Sequence, residues 1–83
     1  MGEVIVVFRI MPDEPESFEK VKKACESLKP DRLEEEPIAF GLKALKFTKI
    51  IPDGPGVMDK LENDINKIKG LGSAENIITS RAL

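Results

Sequence analysis

The chain has no histidine, no tyrosine and no tryptophan, and it has a single cysteine among its 83 residues. Without histidine it lacks both the commonest general acid–base group and the commonest metal ligand. Little catalytic chemistry can be assembled from the side chains that remain. We therefore predict no catalytic residues, no cofactor and no metal site.

The single cysteine, Cys25, cannot form an internal disulfide, and the sequence does not open with a basic and then apolar leader. No run of about 18 apolar residues is present, so we expect no membrane-spanning helix and no membrane partner. These features predict a cytoplasmic protein. Cys25 also falls within an apolar helical stripe, which favours a small buried hydrophobic side chain over a reactive thiol.

Charge is plentiful, but it is not concentrated. Charged residues make up 34% of the chain, hydrophobic residues 41%, and the net charge is −2. This is the composition of a packed globular protein and not of a disordered one. The lysines and arginines are spread along the chain, so a phosphate-binding footprint is not expected and nucleic acid is a poor candidate for a direct partner. A chain of this length accommodates one domain, residues 1–83.

Hydrophobic periodicity predicts six elements. Residues 3–11 are β-branched and nearly continuously apolar, which is typical of a central strand, with Val4, Val6, Phe8 and Ile10 on one face. After acidic capping residues and Pro15, an amphipathic helix follows on the stripe from Phe18 to Leu28. The remaining elements are an edge strand over 32–38, a strand over 42–51, a helix from Val57 to Ile68 that ends at Gly70-Leu71-Gly72, and a strand over 76–80.

The order strand, helix, strand, strand, helix, strand is the split βαβ pattern of the ferredoxin-like fold. We predict an α+β domain, the α/β plait, with a four-stranded antiparallel sheet in the spatial order 4-1-3-2 and two helices on one face. The other face is left for solvent, self-association or a partner. In such a fold the hairpin between strands 2 and 3 lies roughly 20 Å from the carboxy terminus, at the opposite end of the sheet.

The most informative stretch is residues 34–45, where three glutamates run into Pro37 and then into Phe40-Gly41. Hairpin turns are normally built from small polar residues such as Asn-Gly. A phenylalanine at this position either folds back into the core or is presented to a partner. Buried aromatic anchors dominate binding energy at interfaces, so Phe40 is a candidate binding residue.

Two further features have ordinary explanations beside functional ones. Glu34, Glu35 and Glu36 read as a charged edge that discourages unwanted strand pairing, or as an electrostatic contact for a partner. A carboxylate metal site there would lack any other ligand that the sequence indicates. Arg81 stands two residues before the last residue, where a cation is able to enter a narrow site, although a frayed and solvated end is the ordinary expectation.

The stretch Pro37-Ile38-Ala39-Phe40-Gly41-Leu42-Lys43-Ala44-Leu45 resembles the Pro-hydrophobic-Gly/Ala-aromatic-Gly-Ile/Leu-Lys-x-Leu signature of the elongation factor 1-beta guanine-exchange domain. Nine consecutive positions fit, and the preceding Glu-Glu is similar to the archaeal form. The resemblance extends over the whole chain, from the opening Met-Gly-Glu-Val through the strand that ends in Met-Pro to the last strand.

The resemblance implies an exchange factor, and not an enzyme, that binds the GTPase elongation factor 1-alpha and accelerates release of its GDP, so that GTP rebinds. It implies that Phe40 inserts into the GTPase domain and that Pro37, Gly41 and Lys43 belong to the same contact. In relatives, a lysine near the carboxy terminus enters the magnesium and phosphate region. Arg81 is the nearest basic residue here, although the tail departs from the family pattern.

Two other classes remain open on sequence grounds. A ferredoxin-like RNA-binding module would stack bases on aromatic residues of its central strands, and Phe8 and Phe47 are the candidates for that role. The acidic balance and the absence of an aromatic-rich Lys/Arg-Gly-Phe motif count against it. A small regulatory or oligomerisation domain of the same fold is the second alternative, since fold alone does not determine function.

Overall fold

The computed structural model describes residues 2–38 and 41–82 and contains four strands and two helices. The elements are β1 (Glu3–Pro12), α1 (Phe18–Ser27), β2 (Arg32–Pro37), β3 (Lys43–Pro52), α2 (Val57–Asn66) and β4 (Leu71–Ala82). A 3-10 turn, Pro15–Ser17, leads into α1. The predicted element order is confirmed.

The four strands form one antiparallel sheet in the order β2-β3-β1-β4. This is the predicted ferredoxin-like α+β fold. β1 lies at the centre and pairs with β3 from Glu3 opposite Pro52 to Ile10 opposite Leu45. On its other side β1 pairs with β4, and the register of this pairing shifts between Val7 and Phe8 and again between Met11 and Pro12. The polar strand β2 lies at one edge, as its Pro37 predicts.

The core lies between the helices and one face of the sheet. Alternate residues of β1 and β3 supply the sheet side of this core, because successive strand side chains point to opposite faces. The helices contribute their apolar stripes. The buried cluster is Val6, Phe8, Ile10, Phe18, Val21, Cys25, Leu45, Phe47, Ile51, Leu61 and Ile65. The predicted core face of β1 and the predicted burial of Cys25 are both confirmed, and burial raises the pKa of the Cys25 thiol to about 11.

Hydrogen bonds connect the carboxy end of α1 and the following loop to β3. Lys29 has a left-handed φ of 56°, which turns the chain out of the helix. The Nζ of Lys49 donates hydrogen bonds to the carbonyls of Leu28 and Lys29 at 3.2 and 2.8 Å. The backbone N–H of Ile50 donates to Asp31 Oδ2 at 2.7 Å. A lysine at a helix carboxy terminus satisfies free carbonyls and complements the helix dipole.

The structure differs from the sequence prediction mainly at the end of α2, at both ends of β4 and at the cap of α1, while the ends of the other strands shift by one residue. α2 ends at Asn66 and not near Gly70, since Leu71 and Gly72 already belong to β4. β4 is twelve residues long because β1 offers pairing partners over its whole length, beyond the β-branched residues that identified the strand. The predicted acidic cap of the first helical turn makes no side-chain hydrogen bond to described residues.

The face of the sheet opposite the helices carries a mixed surface. Ile50 and Ile78 are exposed there, while Val7 and Ala44 are buried among neighbouring side chains. Neither helix of the described chain has the length and apolar content that a membrane span requires.

The start of β4 passes very close to the end of β1. A Cβ atom on Gly72 would lie 2.6 Å from the Pro12 carbonyl oxygen and 2.9 Å from Asp13 Cα. Nearby, the Asp13 N–H donates to the Gly70 carbonyl at 2.7 Å. These are backbone atoms, so they cannot move aside as a flexible side chain can. Only glycine fits at position 72 without displacing the chain.

We predict that Gly72→Ala lowers the free energy of unfolding by about 1–3 kcal/mol, because an added methyl group would overlap backbone atoms. Chemical denaturation followed by circular dichroism measures it. Gly2→Ala is the matched control, since no atom lies within 4 Å of its added Cβ. Equal unfolding free energies for the two variants would contradict the prediction.

Candidate functional site

The signature stretch forms the turn between β2 and β3. Pro37 and Lys43 are the last paired residues of the two strands. Beyond them, the Ile38 N–H donates to the Leu42 carbonyl at 2.7 Å. Gly41 has a φ of +76°, a left-handed conformation that glycine adopts without strain. The turn therefore has a defined backbone on both sides of residues 39–40, and Phe40, the predicted binding residue, lies outside the described residues.

Apolar side chains face solvent on both arms of this turn. Ile38 is 40% exposed and Leu42 is 39% exposed. Large apolar residues in such exposed positions contribute little to the core of this domain. A small apolar surface is therefore presented at the tip of the hairpin.

Glu35 is the centre of a charge cluster behind the turn. Its carboxylate lies 2.8 Å from Lys22 Nζ on α1 and 3.4 Å from Lys43 Nζ on β3. Lys43 Nζ also lies 5.6 Å from the ring centroid of Phe18. The hydrogen bond from Lys22, aided by Lys43, lowers the pKa of Glu35, and the same bond raises the pKa of Lys22. The cluster ties the hairpin to the first helix.

The other glutamates of the acidic run lie on the opposite sheet face. Arg9 Nε donates to Glu36 Oε1 at 3.0 Å. Because β3 lies between β1 and β2, this pair reaches across β3, where Ala44 is the register partner of Glu36. Glu34 stands opposite Lys46 in the strand register. Two of the three glutamates are thus held in ion pairs and are not simply a solvated edge.

Arg81 lies at the other end of the sheet. It belongs to β4 and its backbone pairs with Val4, so the expected fraying is wrong, whereas the expected solvation of its side chain is confirmed. Its side chain is 84% exposed and lies 3.6 Å from Asp53 Oδ2. From the register, the levels of Lys43 and Arg81 are separated by about 25 Å along the strands. The structure does not bring Arg81 near Pro37, Gly41 or Lys43.

Lys22 and Arg9 were not singled out from the sequence, although each binds the acidic run. A usable signal was present for Lys22. Strand alternation places Glu35 on the helix side of β2, where the lysines of α1 lie. No such local signal exists for Arg9, because its pairing with Glu36 depends on which strand lies next to which.

The aromatic residues that an RNA-binding module would use are not on the open face. Phe8 and Phe47 are buried and pack edge to face, with ring centroids 6.5 Å apart. Bases cannot stack on rings that lie in the core. Within residues 2–38 and 41–82, there is also no group of three or more metal-ligating side chains placed to hold an ion.

Comparison with known proteins agrees with the fold and the hairpin. A family model described as the EF-1 guanine nucleotide exchange domain matches residues 5–81. The chain is 44% identical over 80 residues to an elongation factor 1-beta of Methanoregula boonei, covering 93% of this chain and 94% of the relative. It is 38% identical over 89 residues to an elongation factor 1-beta of Methanobrevibacter smithii, covering all of both chains.

The chain is also 36% identical over 85 residues to an elongation factor 1-beta of Thermoplasma acidophilum, covering 93% of this chain and 97% of the relative. The domain is thus a ferredoxin-like guanine nucleotide exchange domain. The chain belongs to the elongation factor 1-beta family, and these relatives are archaeal. Membership supports a role in nucleotide exchange during translation elongation and not in catalysis of a chemical step.

We predict that Glu35→Gln lowers the denaturant midpoint at pH 7, because two lysines lose their carboxylate partner. The pKa of Glu35 is lower in the folded state than its ordinary value. Its contribution to stability is therefore present above the unfolded pKa and is lost as pH falls through the folded pKa. The difference between variant and wild type should vanish in acid.

Denaturation curves of both proteins between pH 7 and pH 2 test this. Glu34→Gln is the control, because Glu34 makes no ion pair with any residue in the described part of the chain. A Glu35→Gln difference that persisted unchanged in acid would contradict the assigned ion pairs.

Proposed function

We propose that this protein binds the GTPase elongation factor 1-alpha and accelerates release of its GDP, so that GTP rebinds. The observation that carries the proposal is the match of the exchange-domain family over residues 5–81, which includes the sheet, both helices and the signature hairpin. The protein acts in the cytoplasm on a protein partner, without direct contact to nucleic acid. No chemical step is carried out by its own residues.

The hairpin is the proposed wedge. Phe40 inserts into the GTPase domain, and Pro37 and Gly41 hold the turn that presents it. Exposure of Ile38 and Leu42 on the two arms supports this assignment, since a partner surface would cover them. Lys43 is proposed to act in the same contact while it remains paired with Glu35.

Arg81 is the proposed second contact. It enters the region where the GTPase holds magnesium and the nucleotide phosphates. Its high exposure supports this, and so does its loose partnership with Asp53, because a surface ion pair contributes about 0–1 kcal/mol and is readily exchanged. Because Arg81 lies far from the hairpin, a single partner that contacts both must bind along the length of the sheet.

The proposed mechanism is thermodynamic linkage. Bound GDP and magnesium neutralise each other's charge in the nucleotide site of a GTPase. A cation and a wedge that favour the nucleotide-free state lower the affinity for nucleotide, and by reciprocity nucleotide lowers the affinity for the exchange factor. Faster GDP release follows without any covalent change.

We predict that Phe40→Ala weakens binding to the GTPase by about 2–4 kcal/mol, or about 30- to 1000-fold, as expected for a buried aromatic anchor. Release of a fluorescent GDP analogue from elongation factor 1-alpha, measured over a range of protein concentrations, reports the loss. Ile78→Ala is the matched control, because Ile78 is an exposed apolar residue on the open sheet face.

Wild-type protein should accelerate release, and the Ile78 variant should match it. Equal acceleration by the Phe40 variant would remove the wedge assignment. Absence of acceleration by wild-type protein would contradict the proposed function itself.

We predict that Arg81→Ala lowers the maximal release rate at saturating protein by about 10- to 100-fold, the range for a lost charged hydrogen bond. Arg81→Lys should retain most of the rate, because the cation is kept. Arg32→Ala, an exposed arginine on β2, is the control. A full maximal rate for Arg81→Ala would show that another group performs this role.

A further inference from the structure

A cavity of about 350 Å³ opens beside the signature hairpin. It lies between the connection from β1 to α1 and the start of β3. Its walls are mainly apolar and come from Met11, Pro12, Pro15, Phe18 and Leu42. The space is large enough for one long side chain with its neighbours, and the family assignment leaves it unexplained.

Carboxylates dominate the charge around the cavity. Asp13, Glu14 and Glu19 line it, and all three are exposed. Within the described part of the chain none of them is in an ion pair. The one cation in the lining, Lys43, is already held by Glu35 and by the ring of Phe18. The cavity therefore combines an apolar wall with three carboxylates that form no ion pair with described residues, although Glu19 is attracted electrostatically by Lys22 on the same helix.

The cavity is continuous with the tip of the hairpin. Leu42 lines it and is also one of the exposed apolar residues of the turn. A protein that covers Ile38 and Leu42 must therefore also pass over the mouth of the cavity. Carboxylates that lose water without gaining a partner are costly, so a covering surface that supplies positive charge at this point would be favoured.

We propose that this cavity is a second docking point for the GTPase and receives a lysine or arginine carried on an apolar segment of that partner. The inference rests on the proposed function and adds the chemistry of the partner's surface. The aliphatic stem of such a side chain packs against the apolar wall while its head lies among the carboxylates. An anionic segment or a nucleic acid backbone is repelled by the same three groups.

The test replaces the carboxylates together, with Asp13→Asn, Glu14→Gln and Glu19→Gln in one protein. The control triple variant is Asp59→Asn, Glu62→Gln and Glu75→Gln, which changes the net charge equally at residues outside the cavity lining described here. Glu14 and Glu19 make no described capping hydrogen bond. Circular dichroism and denaturation establish that both variants fold.

Release of fluorescent GDP from elongation factor 1-alpha is measured against protein concentration at several salt concentrations. The cavity variant should need about tenfold more protein for half-maximal release at low salt, with an unchanged rate at saturation. That difference should shrink as salt rises, because exposed charges are screened. The control variant should stay within about twofold of wild type.

An active wild type with equal half-maximal concentrations for the two triple variants would overturn this inference and leave the exchange function standing. An inactive wild type would overturn both. A concentration-dependent increase in sedimentation of the protein alone, abolished by the cavity substitutions, would assign the cavity to a second copy of this chain and would also overturn the inference.

Discussion

The antiparallel register of β1 with its two neighbours is the constraint on which the rest of the structure depends. β1 is central, so its pairing with β3 and β4 determines which side chains face the helices. A slip of one residue would turn Val6, Phe8 and Ile10 away from the core and expose them. The same register places the hairpin at one end of the sheet and Arg81 at the other.

Charge compensation around the hairpin follows from that register. Glu35 faces α1 and meets Lys22 and Lys43, whereas Glu36 faces the other side and meets Arg9. The turn is therefore held from both faces of the sheet. Because Lys43 is occupied in this way, the acidic groups near the β1–α1 connection keep their negative field, and the hairpin end presents apolar and anionic surface side by side.

Much of this structure could be predicted from local pattern. The β-branched run of β1, the apolar stripe from Phe18 to Cys25 and the edge position of Pro37 each reflect a period or a missing hydrogen-bond donor that is visible in the sequence. These signals were sufficient for the element order and for the sheet topology. The nine signature residues were sufficient for the family.

Local sequence patterns could not predict features that depend on residues distant in the chain. β4 extends from Leu71 to Ala82 because β1 is long enough to pair with it. The close approach of Gly72 to Pro12 and Asp13 likewise depends on that pairing. The pair between Arg9 and Glu36 joins residues 27 positions apart. The cavity arises only when a loop and a hairpin from different parts of the chain meet.

The sheet also acts as a ruler. Its strands join the hairpin to Arg81 through backbone pairing, so the spacing of the two ends depends on strand length more than on side-chain packing. Each residue adds about 3.3 Å, and away from a bulge a strand keeps its core face only when its length changes by two residues. The distance between the hairpin and Arg81 therefore changes in increments of about 7 Å. If the spacing of the two contact points on a partner changed by less than this, a change in strand length could not match it.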